Sequence, residues 1–140
     1  MTFAPLFAAP PAVIIHAFAA MTAFVLGSAQ LALPKGTLPH RAMGWIWVGL
    51  MAVVAASSFL IHTLCQIGPF SAIHGLSILT LVALPVAVTH ARGHRVGQHR
   101  RLMILLFAGA LGIAGGFTLW PGRIMHDVVF GTHTQHGSCV

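Results

Sequence analysis

Histidine is the residue type in this chain whose number and positions are most suggestive of chemical function. The sequence holds ten histidines, no tyrosine and a single acidic residue, Asp127. Imidazole binds metals and is an axial ligand of haem iron. A carboxylate pair for acid/base catalysis is excluded because there is one acid, and no nucleophile elbow, phosphate loop or metalloprotease signature occurs. The sequence therefore favours a bound cofactor, in a protein that is not an enzyme on its own.

Eight of the ten histidines divide into two groups near opposite ends of the apolar runs of the chain, and the other two, His133 and His136, lie in the C-terminal tail. The predicted outer group holds His16, His62, His74 and His126, and the predicted inner group holds His40, His90, His94 and His99. All except His94 are candidate cofactor ligands. Paired histidines from neighbouring helices near each membrane surface are what a b-type cytochrome needs to carry electrons across a membrane. Haem b is the first cofactor that this pattern favours.

Two other interpretations of the histidines remain open. His62 and Cys65 are three residues apart and share a helical face, and His74 follows across a short loop, which is a ligand set suited to zinc or copper. Alternatively there is no cofactor, because imidazoles at span ends are stable in the headgroup region or as helix caps. His40 and His62 lie about 33 Å apart along a helix, so a single metal cannot bind both.

The elements that position these residues are transmembrane helices. The chain is 57% hydrophobic and 6% charged, with a mean hydropathy of +0.90, whereas soluble domains are about a quarter charged. A bilayer core needs about 20 apolar residues in a helix. The sequence therefore predicts an all-α, integral membrane four-helix bundle forming one domain, 1–140. Its predicted spans are 12–33, 43–64, 70–89 and 102–120, followed by a polar, histidine-containing tail, 121–140.

Basic residues in the short loops predict the orientation of the bundle. One face has six of the seven lysines and arginines, and the other has Arg123. The six are Lys35, Arg41, Arg92, Arg95, Arg100 and Arg101. The positive-inside rule assigns the richer face to the cytoplasm, so both termini are predicted on the non-cytoplasmic side. All seven are candidate contacts for lipid headgroups or other anions, and nucleic acid is not an expected partner.

The fourth span carries small residues that favour close helix packing. Gly112 and Gly116 form a small-xxx-small pair, which lets another helix approach closely. The neighbour is either a helix of the same bundle or a helix of a homo-oligomer or another membrane subunit. Membrane lipids are expected partners in any case, and a quinone is a candidate partner if the chain transfers electrons.

Several short strings resemble a family of small bacterial four-helix inner-membrane proteins catalogued as a domain of unknown function. They are Lys35-Gly36 with His40-Arg41 and Gly44, Ser57-Ser58-Phe59, Phe70-Ser71 with Ile73-His74 and Ser77, and Pro121-Gly122-Arg123 with His126. The resemblance extends from about Lys35 to Gly131. It implies a multi-pass protein of the bacterial inner membrane and a shared role for His40, Arg41, His74, Arg123 and His126, but no established activity.

Two hypotheses of different classes follow. The first is a membrane protein that binds haem b or a metal through its histidine layers, for electron transfer or as a redox-linked subunit. The second is an accessory subunit without a cofactor, which packs its glycine-rich helix against a larger membrane complex.

Overall fold

The regular structure of the chain is helical wherever it is described. The computed structural model describes residues 4–61, 72–120 and 124–130, and no strand occurs in these ranges. The helices are α1 (Ala4–Phe7), α2 (Pro11–Ala32), α3 (Leu38–Ser58), α4 (Ala72–Arg92), α5 (Val96–Thr118) and α6 (Ile124–Phe130). Helices α2, α3 and α5 and the His74–Arg92 part of α4 are long and apolar enough to cross a membrane. The prediction of an all-α protein is confirmed for the described residues, and so is the prediction of four helices that are able to span a membrane.

Two helices begin earlier than the apolar runs predict. Helix α3 begins at Leu38, ahead of the predicted residue 43, because Thr37 caps it by accepting a hydrogen bond from the backbone N–H of His40 at 3.3 Å. Pro39 is tolerated in the first turn, where no intrahelical donor is needed. Helix α5 begins at Val96, so Arg100 and Arg101 are helical. His40 and His99 therefore lie in first turns of helices.

The four long helices form a closed bundle. Helix α2 packs on α3, α3 on α4 and α4 on α5, and the middle of α5 returns to α2. Helices α2 and α4 thus occupy opposite corners. Helix α4 continues through Pro85, which membrane helices tolerate when neighbouring groups satisfy the freed carbonyl.

At the centre of the bundle, α3 and α5 approach α2 closely at Gly27. The indole Nε1 of Trp47 donates to the Ala23 carbonyl at 3.0 Å, and Trp47 is 2% exposed. A Cβ atom at Gly27 would lie 2.7 Å from both Trp47 Nε1 and Phe107 Cδ2. Phe107 begins a π-helical turn of α5, Phe107–Ile113. Trp47, with Met51 and Leu84, belongs to the apolar core that separates the two ends of the bundle.

The predicted polar tail contains a helix that the hydropathy did not indicate. Helix α6 lies within 121–140 and packs against α1. Val128 is 4% exposed and forms a small apolar cluster with Leu6 and Ala17. The beginning of the tail is therefore part of the fold.

A candidate histidine site at one end of the bundle

Polar side chains from three helices meet at one end of the bundle, called here the His16 end. It consists of His16 on α2, Ser57 and Ser58 on α3, and His74 and Ser77 on α4. His16 is half-buried and the other four are buried. Buried polar groups in a membrane protein are costly unless they are paired, and they mark functional sites by default. Antiparallel neighbours bring them together, because α2 and α4 begin where α3 ends.

The hydrogen bond between His16 and Ser57 fixes one tautomer of the imidazole. His16 Nδ1 lies 3.0 Å from Ser57 Oγ, which itself lies 2.7 Å from the Val53 carbonyl oxygen and 3.1 Å from that of Val54. A carbonyl only accepts, so the single hydroxyl proton of Ser57 is used within its own helix. Ser57 Oγ then accepts from His16 Nδ1–H. The lone pair of a neutral His16 therefore lies on Nε2.

A second hydrogen bond joins α3 to α4 beside this pair. Ser58 Oγ lies 2.6 Å from Ser77 Oγ and 2.7 Å from the Ala55 carbonyl oxygen. His74 lies one helical turn before Ser77 on α4 and is 4% exposed. Its ring centroid is 5.7 Å from that of Phe59. An imidazole from each of two opposite helices therefore lies in the same polar layer, with hydroxyls on the helix between them.

The opposite end of the bundle carries the inner group and is called here the His40 end. Its residues are Gln30 on α2, His40 on α3, and His90 and His99 near the junction of α4 with α5. His99 Nδ1 lies 2.9 Å from the Ala87 carbonyl oxygen. Since a carbonyl only accepts, Nδ1 carries the proton, and the lone pair of a neutral His99 is on Nε2. The Gln30 side chain donates from Nε2 to the His40 carbonyl at 3.0 Å.

The remaining candidate ligands are placed less closely. His90 is half-buried near the end of α4, and His126 packs its ring on Phe130 with centroids 4.7 Å apart. His62 and Cys65 of the predicted zinc or copper site lie outside the described residues, so that set is not located here. Among residues 4–61, 72–120 and 124–130, no three His, Cys, Asp or Glu side chains are grouped closely enough to hold a metal ion.

The six basic residues of the predicted inner face all lie at the His40 end. Each is exposed: Lys35, Arg41, Arg92, Arg95, Arg100 and Arg101. Lys35 Nζ donates to the Leu31 carbonyl at 2.6 Å and so stays close to the end of α2. Arg123 lies outside the described residues. The positive charge is thus concentrated at one end of the bundle, as the loops predict.

The family of the chain follows from a match over most of its length. A family model described as "predicted membrane protein" matches residues 13–136. The chain belongs to this family, DUF2306. Membership confirms the resemblance carried by the motifs, and the match extends it to α2 and His16, which the motifs had left out. No curated protein and no solved structure matches this DUF2306 chain.

Sequence reasoning missed the partners of the imidazoles in this DUF2306 protein. Gln30 and Ser57 each form a hydrogen bond to a histidine on the neighbouring helix. Neither was predicted as a site residue. The signal was a polar side chain at a span end, opposite a histidine on the next antiparallel helix.

Proposed function

We propose that this DUF2306 protein binds haem b at the His16 end and serves transmembrane electron transfer, alone or as a redox-linked subunit. His16 and His74 are the proposed ligands. The observation that carries the proposal is the hydrogen bond from His16 Nδ1–H to Ser57 Oγ, at 3.0 Å. Ligand histidines almost always donate their other ring N–H to a protein acceptor, which holds the ring and its tautomer in place.

The surroundings of His16 suit a planar apolar cofactor. The buried residues of α2 and α3 near this end are small and include Ala19, Ala55 and Ser58. Helices α2 and α4 occupy opposite corners, so His16 and His74 approach the bundle interior from opposite sides. Haem, when bound, supplies one-electron redox chemistry. The chain would supply the imidazoles, the orienting hydroxyl and an environment that excludes water.

The proposal also includes the side of the membrane on which the haem would lie. The basic residues at the His40 end assign that end to the cytoplasm, so the haem would lie towards the non-cytoplasmic face of the bacterial inner membrane. The apolar core around Trp47 and Met51 separates the haem from the cytoplasmic end.

Absorption spectra of the purified protein test the proposal. We expect a Soret band that shifts on reduction, with stoichiometric iron, and loss of both in His16→Ala and His74→Ala. His94→Asn is the matched control, because His94 is exposed and has a left-handed φ of 56° that asparagine tolerates. Stoichiometric zinc or copper without a Soret band would favour the predicted metal site instead. Absence of both haem and metal would reject a cofactor.

A cofactor-free accessory subunit is the second candidate function, and helix α5 favours it. Only 11% of the most apolar stretch of α5 is buried, against 22% for α2 and 28% for α3 and α4. Among the described residues, added Cβ atoms at Gly109, Gly115 and Gly116 would meet nothing within 4 Å. This open small-residue face suits a helix of another subunit. Co-purification with a defined partner in mild detergent would support this function. A protein that migrates as a monomer and yields no partner after crosslinking would contradict it.

A further inference from the structure

An apolar cleft lies at the His40 end, where α2 connects to α3. Its volume is about 390 Å³, and it lies between the last turn of α2, the connecting loop and the first turns of α3. Its accessible wall is almost entirely apolar and includes Leu33, Pro34, Pro39 and Met43. His40 also lines the cleft, but its Nδ1 is buried. The cleft therefore suits a hydrocarbon occupant and offers almost no hydrogen bond to a polar one.

Lys35 supplies a cation beside this cleft. It lies in the connecting loop between two lining residues, Pro34 and Thr37. Its Nζ donates to the Leu31 carbonyl at 2.6 Å, which holds the exposed ammonium group at the end of α2. An ammonium group has three N–H donors, so two remain for a ligand. Lys35 is also close enough to His40 for its charge to act on that ring. The cation is thus positioned at the edge of the apolar wall.

Arg41 is the second cation at the cleft, and no acidic side chain is available to neutralise either. Arg41 follows the lining residue His40 in α3 and is exposed. The one acidic residue of the sequence, Asp127, lies in α6. Helix α6 packs on α1, which precedes α2 and so lies at the opposite end of the bundle. An anion from another molecule therefore fits Lys35 and Arg41.

The apolar wall and the two cations match the two parts of an anionic phospholipid. Free phosphate would contact the cations and leave the wall empty, whereas a neutral lipid would cover the wall without neutralising the cations. The cleft lies at the ends of two helices that are long enough to span a membrane, which is the depth at which headgroups meet acyl chains. Basic pockets between transmembrane helices bind anionic headgroups in this way.

We propose that this cleft binds an anionic glycerophospholipid of the phosphatidylglycerol type. Its phosphate lies between Lys35 and Arg41, and the beginning of one acyl chain lies against Leu33 and Met43. The lipid comes from the leaflet at the His40 end. This site is separate from the proposed electron-transfer function, because lipid binding here does not require haem.

Native mass spectrometry of the full-length protein, purified in mild detergent, tests the charged part of the site. We expect one phosphatidylglycerol to bind saturably and phosphatidylcholine with the same chains to bind more weakly, because its choline repels the cations. Lys35→Gln and Arg41→Gln should each weaken phosphatidylglycerol binding about fivefold and leave phosphatidylcholine binding unchanged. Equal affinity for the two lipids in the natural protein would overturn the proposal.

A variant of the wall tests the apolar part of the site. Met43→Trp narrows the cleft while keeping both cations, and it should weaken the binding of both lipids. Leu79→Trp, at an exposed position of α4, should bind both lipids as the natural protein does, and thermal unfolding shows that each variant is folded. Inorganic phosphate and glycerol phosphate should not displace the lipid. Displacement by either at equal concentration would show that the cations bind phosphate without the cleft, which overturns the proposal.

The connection between α4 and α5 supplies the control for charge alone. Arg92→Gln combined with Arg95→Gln removes two exposed cations from the same end of the bundle, and neither residue lines the cleft. We expect this double variant to keep the bound phosphatidylglycerol, whereas Lys35→Gln combined with Arg41→Gln should lose it. Equal losses in the two double variants would show attraction by overall charge and would overturn a site at the cleft.

Discussion

At the scale of single residues, Ser57 determines which nitrogen of His16 is available. Its hydroxyl proton is used on the carbonyls of Val53 and Val54, so its oxygen accepts from His16 Nδ1 at 3.0 Å. Without that acceptor, neither the ring orientation nor the tautomer of His16 is fixed. Ser57 is thus a positioning residue in the proposed haem site, because it acts through His16.

Replacing Ser57 tests this role directly. We expect Ser57→Ala to weaken haem binding by about 10–100-fold, the usual effect of removing a partner of a ligand histidine. The measurement is a haem titration followed by the Soret band. Ser57→Thr keeps the hydroxyl and should restore most of the affinity, which a merely structural change at this position would not.

A matched serine supplies the control. Ser28 Oγ donates to the Phe24 carbonyl at 2.8 Å, one turn back in its own helix, and Ser28 is exposed. Ser28→Ala removes the same kind of bond far from His16 and should leave haem affinity unchanged. Equal losses in Ser28→Ala and Ser57→Ala would show that the effect comes from the helix backbone and would contradict the role of Ser57.

At the scale of helices, Gly27 sets the distance between α2 and its neighbours. A methyl group there would lie 2.7 Å from Trp47 Nε1 and from the ring of Phe107. We expect Gly27→Ala to lower the free energy of unfolding by about 1–3 kcal/mol, as overpacking of a core does. Thermal unfolding in detergent measures the change. The Trp47 bond to Ala23 would lengthen in the same variant.

Gly49 is the control for helix propensity. It lies on α3, where an added Cβ meets nothing within 4 Å. Alanine is favoured over glycine in a helix by about 1 kcal/mol, so Gly49→Ala should raise the unfolding temperature. A similar rise in Gly27→Ala would mean that α2 moves away freely, which contradicts the close contact.

The open face of α5 makes a prediction about assembly. A Cβ atom added at Gly116 would meet no atom of the described residues within 4 Å, so Gly116→Leu should leave the monomer as stable as before. If α5 packs on another helix, the same variant should lose its partner or its own oligomer, measured by light scattering and crosslinking in mild detergent. Gly49→Leu, on an equally open position of α3, should keep the assembly. Retained assembly in Gly116→Leu would contradict docking through this face.

Hydropathy predicted which helices are able to cross a membrane but not the residue at which each one begins. The starts of α3 and α5 depend on a cap and on basic side chains in a first turn, which a search for apolar runs passes over. Thr37 carries the capping signal for α3. The first turns of α5 contain the charged residues Arg100 and Arg101, so the apolar run begins only after them. Helix α6 is short and is stabilised by Val128 packing on Leu6 and Ala17, a long-range contact that no local pattern indicates.

At the scale of the whole molecule, antiparallel spans alone were enough to group the histidines. The grouping of His16 with His74, and of His40 with His99, follows from which helix end each occupies. The partners did not follow, because the contact of His16 with Ser57 or of Gln30 with His40 depends on the rotation and register of packed helices. One sequence contains no direct measure of either quantity.

The orientation of the bundle decides on which side of the membrane the proposed haem site lies. All six described basic residues lie at the His40 end, and from this the positive-inside rule predicts both termini on the non-cytoplasmic side. We expect alkaline phosphatase fused after Val140 to be active, and green fluorescent protein inserted at Gly93, between α4 and α5, to fluoresce. Replacing Arg92, Arg95, Arg100 and Arg101 together should reduce both signals. A fluorescent C-terminal fusion would reverse the predicted orientation and place the proposed haem site towards the cytoplasmic face.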